Sequence, residues 1–204
     1  MISRIAAVVT AAGESARMGT PKALLPWIGK PLLEHQVDTL MQSGVEEIVV
    51  VLGHRALDLI DYVRGDQVSS VINVNYQQGK STSIQLGLLS ISAEADPVLL
   101  IGVDQPRTTD IVKSLIDAHI KNSARITVPE FNGHRGHPIV LSRVLIQEFL
   151  DIQESTQGVR AVLDRHENDT LRVPFQTPIV ALDLNTPDEY QDAPDQRKNH
   201  HRKP

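Results

Sequence analysis

The sequence predicts an α/β protein in which a parallel or mixed sheet is sandwiched between helices. Three observations predict it: short continuous apolar runs rich in β-branched residues, helical patterns of about 10 to 15 residues between them, and polar loops where the runs end. Right-handed crossovers follow from that alternation.

Residues 5–10 (IAAVVT) read as a first strand covered on both faces, because the apolar run shows no polar alternation. Across residues 31–43, Leu33, Val37, Leu40 and Met41 stand at i, i+4, i+7 and i+8, and Gly44 sits just past the end as a stop signal, so this segment is a helix. Residues 47–52 (EIVVVL) are a second buried strand. A short helical pattern over 56–63 leads into a third strand candidate at 68–73. Residues 81–91 read as a helix, and 98–103 (VLLIGV) as the most apolar strand, ending abruptly at Asp104-Gln105-Pro106. From Thr109 to Asn122, Val112, Leu115, Ile116 and Ile120 line one helical face, and a strand follows at 126–128.

After Glu130 the rhythm changes. The loop FNGHRGHP precedes a strand at 139–141, helices near 144–150 and 159–166, and short strand candidates at Leu171 and Ile179. The 204 residues fit one domain, placed at residues 1–190, with this last part an elaboration of it. Residues 191–204 hold no apolar side chain larger than alanine apart from proline and carry four basic against two acidic residues, so a disordered basic tail is expected.

Hydrophobic residues make up 41% and charged residues 22%, the balance of an ordinary soluble globular chain. A net charge of −5 supplies no broad basic field, so nucleic acid is not an expected partner. With no cysteine, disulfides, zinc–thiolate sites, iron–sulfur clusters and thiol nucleophiles are excluded. No apolar run approaches the roughly 20 residues that span a bilayer, and the first one is too short for a secretion signal. No membrane association and a cytoplasmic location are the expectations.

The loop from Thr10 to Lys22 (TAAGESARMGTPK) is the strongest chemical feature. Small residues at a strand's carboxyl end let the backbone approach a ligand, successive N–H groups there hold phosphate oxygens, and Arg17 and Lys22 add fixed positive charge. The same residues also fit a plain glycine-containing turn. Neither G-x-G-x-x-G nor the P-loop spacing occurs in this loop, and Gly79-Lys80-Ser81 has Val74 where a P-loop needs its first glycine.

Asp104, at the carboxyl edge of the most apolar strand, is well placed to hold Mg²⁺ against substrate phosphates; an Asp-x-Pro turn explains it equally. Residues 77–83 (QQGKSTS) form a polar loop at a helix start, able to present amides and hydroxyls to a base or phosphate, or simply to cap the helix through Ser81. His134 and His137 have no third ligand nearby, so an anionic-substrate loop fits GHRGHP better than zinc. In DLNTPDEY, Thr186 and Glu189 make a capping box that leaves Asp183 and Asn185 unexplained. Serine-hydrolase and metalloprotease patterns are absent.

TAAGESARMGTPKALLPWIGKPLLEH, YQQGKSTS, GVDQP, GHRGHP and DLNTPDEY occur in the order found in the nucleotidyltransferases, over about residues 4 to 190. The chain resembles the molybdopterin-dinucleotide branch of that superfamily. Its TAAG opening, the following LPW and the GHP loop look more like cytidylyl than guanylyl members, whose opening reads LAGG.

The resemblance implies a three-layer α/β/α sandwich with a mostly parallel, mixed central sheet, the Rossmann-like nucleotidyltransferase fold. It implies an enzyme that moves CMP from CTP to the terminal phosphate of molybdenum cofactor, giving the cytosine dinucleotide and pyrophosphate. Carried over by position, Ala11, Ala12 and Gly13 contact the nucleotide, and Arg17 and Lys22 its triphosphate. Gln78 and Ser83 lie near the base or the pterin, His137 faces the molybdopterin, and Asp104, with Asp183 as a second candidate, binds Mg²⁺. A molybdenum hydroxylase is the implied recipient, met transiently. Three other readings stand beside this one: a GTP-using guanylyltransferase, a sugar- or alditol-phosphate nucleotidyltransferase, and a non-catalytic carrier of the finished cofactor.

Overall fold

Residues 4–193 are described by the computed structural model. Strand β1 (Arg4–Ala11) lies at the centre because it is apolar toward both sides: Ala7, Val9 and Ala11 join one core layer, Ala6 and Val8 the other. A short antiparallel ribbon, β2 (Pro26–Trp27) and β3 (Lys30–Pro31), leads into α1 (Leu32–Gln42). Two residues per strand leave no alternation to read, which is why the sequence does not signal the ribbon. The stripe on α1 buries Leu33, Val37 and Leu40 as expected, and Gly44 takes the left-handed φ of +87° past the helix end.

The chain continues through β4 (Glu47–Leu52), α2 (Ala56–Leu59), β5 (Val68–Ile72), α3 (Lys80–Ser90), β6 (Ala95–Gly102) and α4 (Thr109–Asn122). It then adds β7 (Ile126–Phe131), β8 (His134–Arg135), β9 (Ile139–Leu141), α5 (Ile146–Leu150), α6 (Val159–Arg165), β10 (Thr170–Pro174) and α7 (Pro187–Asp192). The main sheet runs β10-β7-β9-β6-β1-β4-β5, with β8 paired to β7. All pairs along it are parallel except those of β9 with β6 and β7, and the β7–β8 pair is antiparallel too. The sheet is therefore mixed and mostly parallel.

Helices α1 and α4 pack on one face through Leu33, Leu40, Val112 and Leu115; α3, α5 and α6 pack on the other through Ile84, Leu88, Phe149 and Val162. This is the three-layer sandwich. The strand predicted at Ile179 is instead a single 3₁₀ turn, Pro178–Ala181. Pro178 pre-sets the helical φ and the Thr177 hydroxyl accepts from the Ile179 N–H, so the local cap prevails over the β-branched pair. The tail expected from Gln191 starts inside α7, which runs to Asp192, with Ala193 buried; residues 194–204 lie outside the described residues. Among the described residues no helix is long and apolar enough to cross a membrane.

Helix α3 lies close against the sheet at Gly87, where a Cβ would stand 2.2 Å from Val8 Cγ1. In an open helix, glycine to alanine gains about 0.5–1 kcal/mol. Here the clash with a fully buried strand outweighs that gain, so Gly87→Ala is expected to lose about 1–3 kcal/mol, read from the urea midpoint.

Candidate active site

Chain direction fixes where a site can form. From β1 the chain steps outward through β4 and β5, then returns across β1 to β6 on the other side. The carboxyl ends of β1 and β6 therefore flank the switch point, where the strand-end loops part and leave a crevice. A cleft of about 300 Å³ occupies that place.

The 10–22 loop forms one wall. Ser15 (φ 53°) and Gly19 (φ 67°) are left-handed and bracket the turn Ala16–Met18, and the Ser15 hydroxyl accepts from the Lys22 N–H (3.0 Å), bringing the chain back so that Lys22 enters the cleft. Ala11, Ala12, Gly13, Arg17 and Lys22 all line the cleft, joined by Ser83 and Asp104. Nothing lies within 4 Å of where a Cβ would stand on Gly13, so its backbone faces open space a ligand can fill. Gln78 is exposed outside these lining residues, and its amide donates to Asn75 (3.4 Å). Ser83 is buried and takes a hydrogen bond from Asn73 Nδ2 (2.9 Å).

Lys22 holds the centre. Its Nζ donates to Asp104 Oδ2 and to Asn185 Oδ1, each at 2.8 Å, tying the first loop, the end of β6 and the segment before α7 into one cluster. A backbone bond from Leu184 N to Asp104 O (2.9 Å) fixes the third member. Asn185 is thus the partner the capping box left unexplained.

Asp183 sits half-buried beside this cluster, outside the cleft lining. Its Oδ1 is buried with no hydrogen-bond partner among the described residues. Burial raises its pKa above the ordinary carboxylate range; a bond from Gln105 opposes this, and the charge of Asp104 adds to it. An orphaned carboxylate oxygen near a second carboxylate is a donor set that a hard cation relieves. Asp104 and Asp183 are therefore the residues that could hold a divalent cation at this edge. Among the described residues no group of three or more acidic or imidazole side chains is arranged to hold a metal by itself.

A second cavity of about 280 Å³ adjoins the first, and Thr10 and Lys80 line both. Its polar groups include Gln105, His137, Glu154 and Arg160, set against apolar Ile84, Leu100, Ile139 and Leu163. His137, the predicted acceptor contact, lies here with Nδ1 buried and unpartnered; His134 is exposed in β8. Burial, followed by the nearby charges of Lys80 and Arg107, lowers the His137 pKa to about 3. Burial also lowers those of His35 and His119.

Each of these imidazoles therefore disfavours its proton more in the folded than in the unfolded chain. Their contribution to stability is fully present above about pH 6.5 and is lost as pH falls, for His137 down toward 3. Urea denaturation at pH 7.5 and 5.0 is expected to show the loss, and His137→Gln to make it shallower.

Arg107 is a structural neighbour of the site that residue patterns do not single out. It is 1% exposed, and its guanidinium donates to the carbonyls of His137 (2.7 Å), Pro106 (2.8 Å), Leu182 (3.0 Å) and Val180 (3.0 Å). One buried cation thereby ties the His137 loop to the segment before Asp183.

A mixed doubly wound sheet, with a phosphate-suited loop, a lysine–aspartate pair and a contiguous second cavity at one edge, defines a nucleotidyltransferase. The comparisons make the class specific: the chain belongs to the MobA-like NTP transferase domain family, whose pattern matches residues 7–170. It is 29% identical to the molybdenum cofactor cytidylyltransferase of Escherichia coli over 191 residues, covering 93% of this chain and 95% of that one. Nicotine blue oxidoreductase of Paenarthrobacter nicotinovorans is 28% identical over 78% of this chain and 81% of its own. Among solved structures, Rv0371c of Mycobacterium tuberculosis superposes with a TM-score of 0.82 at 26% identity, covering 94% of this chain and 97% of that one. A manganese complex of Rv0371c matches with a TM-score of 0.73 at 25% identity, over 93% and 97%.

Proposed function

We propose that this nucleotidyltransferase carries CMP from CTP to the terminal phosphate of molybdenum cofactor, forming molybdopterin cytosine dinucleotide and pyrophosphate. The observation that carries the reading is Lys22 Nζ held between Asp104 and Asn185 at the mouth of a phosphate-suited loop. Likeness to the Escherichia coli cytidylyltransferase across nearly the whole chain supports the substrate pair.

The nucleotide lies in the first cleft, with Ala11, Ala12 and Gly13 along it and Arg17 and Lys22 on the triphosphate; Ser83 and the neighbouring Gln78 complete its base end. The acceptor lies in the second cavity against His137. An oxygen of the acceptor phosphate attacks the α-phosphorus, the bond to the β-phosphate oxygen breaks, and pyrophosphate leaves. The attacking phosphate is already ionised near neutral pH, so no side chain need remove a proton. Positioning and charge neutralisation then supply most of the acceleration. Mg²⁺, when held by Asp104 and Asp183, neutralises charge on the phosphates. The protein works in the cytoplasm and passes its product to a molybdenum hydroxylase by transient contact.

Incubation with molybdenum cofactor, Mg²⁺ and each of CTP, GTP, ATP and UTP, with products identified by mass, tests this. Cytosine dinucleotide from CTP is expected. A guanine dinucleotide would replace the base and keep the reaction, and no product with any nucleotide would overturn the proposal.

A further inference from the structure

We infer that the rings of His54 and Tyr76 form the platform on which the nucleobase stacks, an inference that rests on the nucleotidyltransferase reading of the cleft. His54 follows β4, and Tyr76 begins the 3₁₀ turn Tyr76–Gln78 after β5; these strands are adjacent and parallel, so both rings arrive at the same sheet edge. Both line the cleft that holds Lys22 and Asp104. Their centroids are 6.0 Å apart and their planes tilted by 58°, a contact in which one ring braces the other, and both rings keep partial exposure.

The wall is built, not incidental. His54 N donates to Ala12 O (3.0 Å), which ties it to the first loop. Between them, a Cβ on Gly53 would stand 2.7 Å from Ala12 O and 3.0 Å from Tyr76 Cβ. Only glycine lets the first loop, His54 and Tyr76 close into one surface. Arg17, Lys22 and Asp104 stand on the loops after β1 and β6, whereas the side below β4 and β5 presents the two rings, with Lys80 beyond them where the cleft meets the second cavity. A nucleoside triphosphate has the matching division, with charge at one end and a flat heteroaromatic base at the other.

Stacking on an aromatic face strengthens binding roughly five- to hundredfold per base and tolerates any base. The wall therefore sets how tightly nucleotides bind and leaves the choice among bases to other contacts. Calorimetric titration of the full chain with Mg²⁺, using CTP and inorganic tripolyphosphate, tests this in the wild type and in Tyr76→Ala, His54→Ala and Tyr76→Phe. Both rings are only half-buried, so these variants should fold, and urea midpoints check it.

The alanine variants are expected to lose about tenfold or more in CTP affinity while binding tripolyphosphate as the wild type does; Tyr76→Phe should retain CTP. Unchanged CTP affinity in both alanine variants, or an equal fall for both ligands, would overturn the platform. A wild type that binds neither ligand would overturn the nucleotidyltransferase reading beneath it, a failure visible before any variant is made.

Discussion

Asp104→Ala is expected to lower nucleotidyl transfer by about 10²–10³-fold or more while the protein stays folded. The carboxylate faces Lys22 in the cleft and is the proposed metal ligand, so its loss removes that candidate ligand and leaves the lysine held by Asn185 alone. Neither effect needs the core. Both side chains keep some exposure, 13% for Lys22 and 23% for Asp104, and a partly solvated pair contributes only about 0–1 kcal/mol to stability. Asp104→Asn separates charge from shape: the amide oxygen can still accept from Lys22, yet the rate should fall nearly as far. Single-turnover product formation and urea midpoints on both variants decide it. Near-normal turnover in either would remove Asp104 from the site.

Arg107→Ala has the largest expected effect on stability, about 3 kcal/mol or more, since each buried carbonyl left without its donor costs about 1–3 kcal/mol. The guanidinium is buried with no carboxylate in salt-bridge contact among the described residues, and burial lowers its pKa to about 10. Its charge is balanced by four backbone carbonyls and, at longer range, by Asp183 and Asp104. Removing it leaves carbonyls of Pro106, His137 and Leu182 without their donor in a dry environment. Arg107→Met restores most of the volume without the donors and should remain well below the wild type. A loss under about 1 kcal/mol in the urea titration of Arg107→Ala would show that water replaces the guanidinium.

Much of the fold is legible because the three central strands are buried on both faces. β1, β4 and β6 each carry a continuous apolar run, residues 5–9, 48–52 and 97–101, that no local signal interrupts. α1 and α4 carry clear stripes because both lie on the same sheet face and bury only the side turned to it. Short elements are harder to read: the β2–β3 ribbon shows no period, and at Ile179 a proline and a threonine cap outweigh the β-branched pair that suggested a strand.

The site divides the same way. Its first loop is legible because loop and ligand contacts lie within one run of residues. The Lys22–Asp104 and Lys22–Asn185 contacts join residues 82 and 163 positions apart, and Arg107 serves carbonyls 30 to 75 positions away. No spacing within a motif reports such pairs. Asp183 is an intermediate case, since its side chain is left over once the capping box is assigned, and the fold sets that orphaned carboxylate beside Asp104.

Transfer at the α-phosphorus in this cleft is tested most directly by the stoichiometry of pyrophosphate. With CTP, Mg²⁺ and molybdenum cofactor, one pyrophosphate should appear for each acceptor consumed, and none when the acceptor is left out. Release of inorganic phosphate instead, or consumption of the acceptor with no pyrophosphate, would rule out transfer at the α-phosphorus.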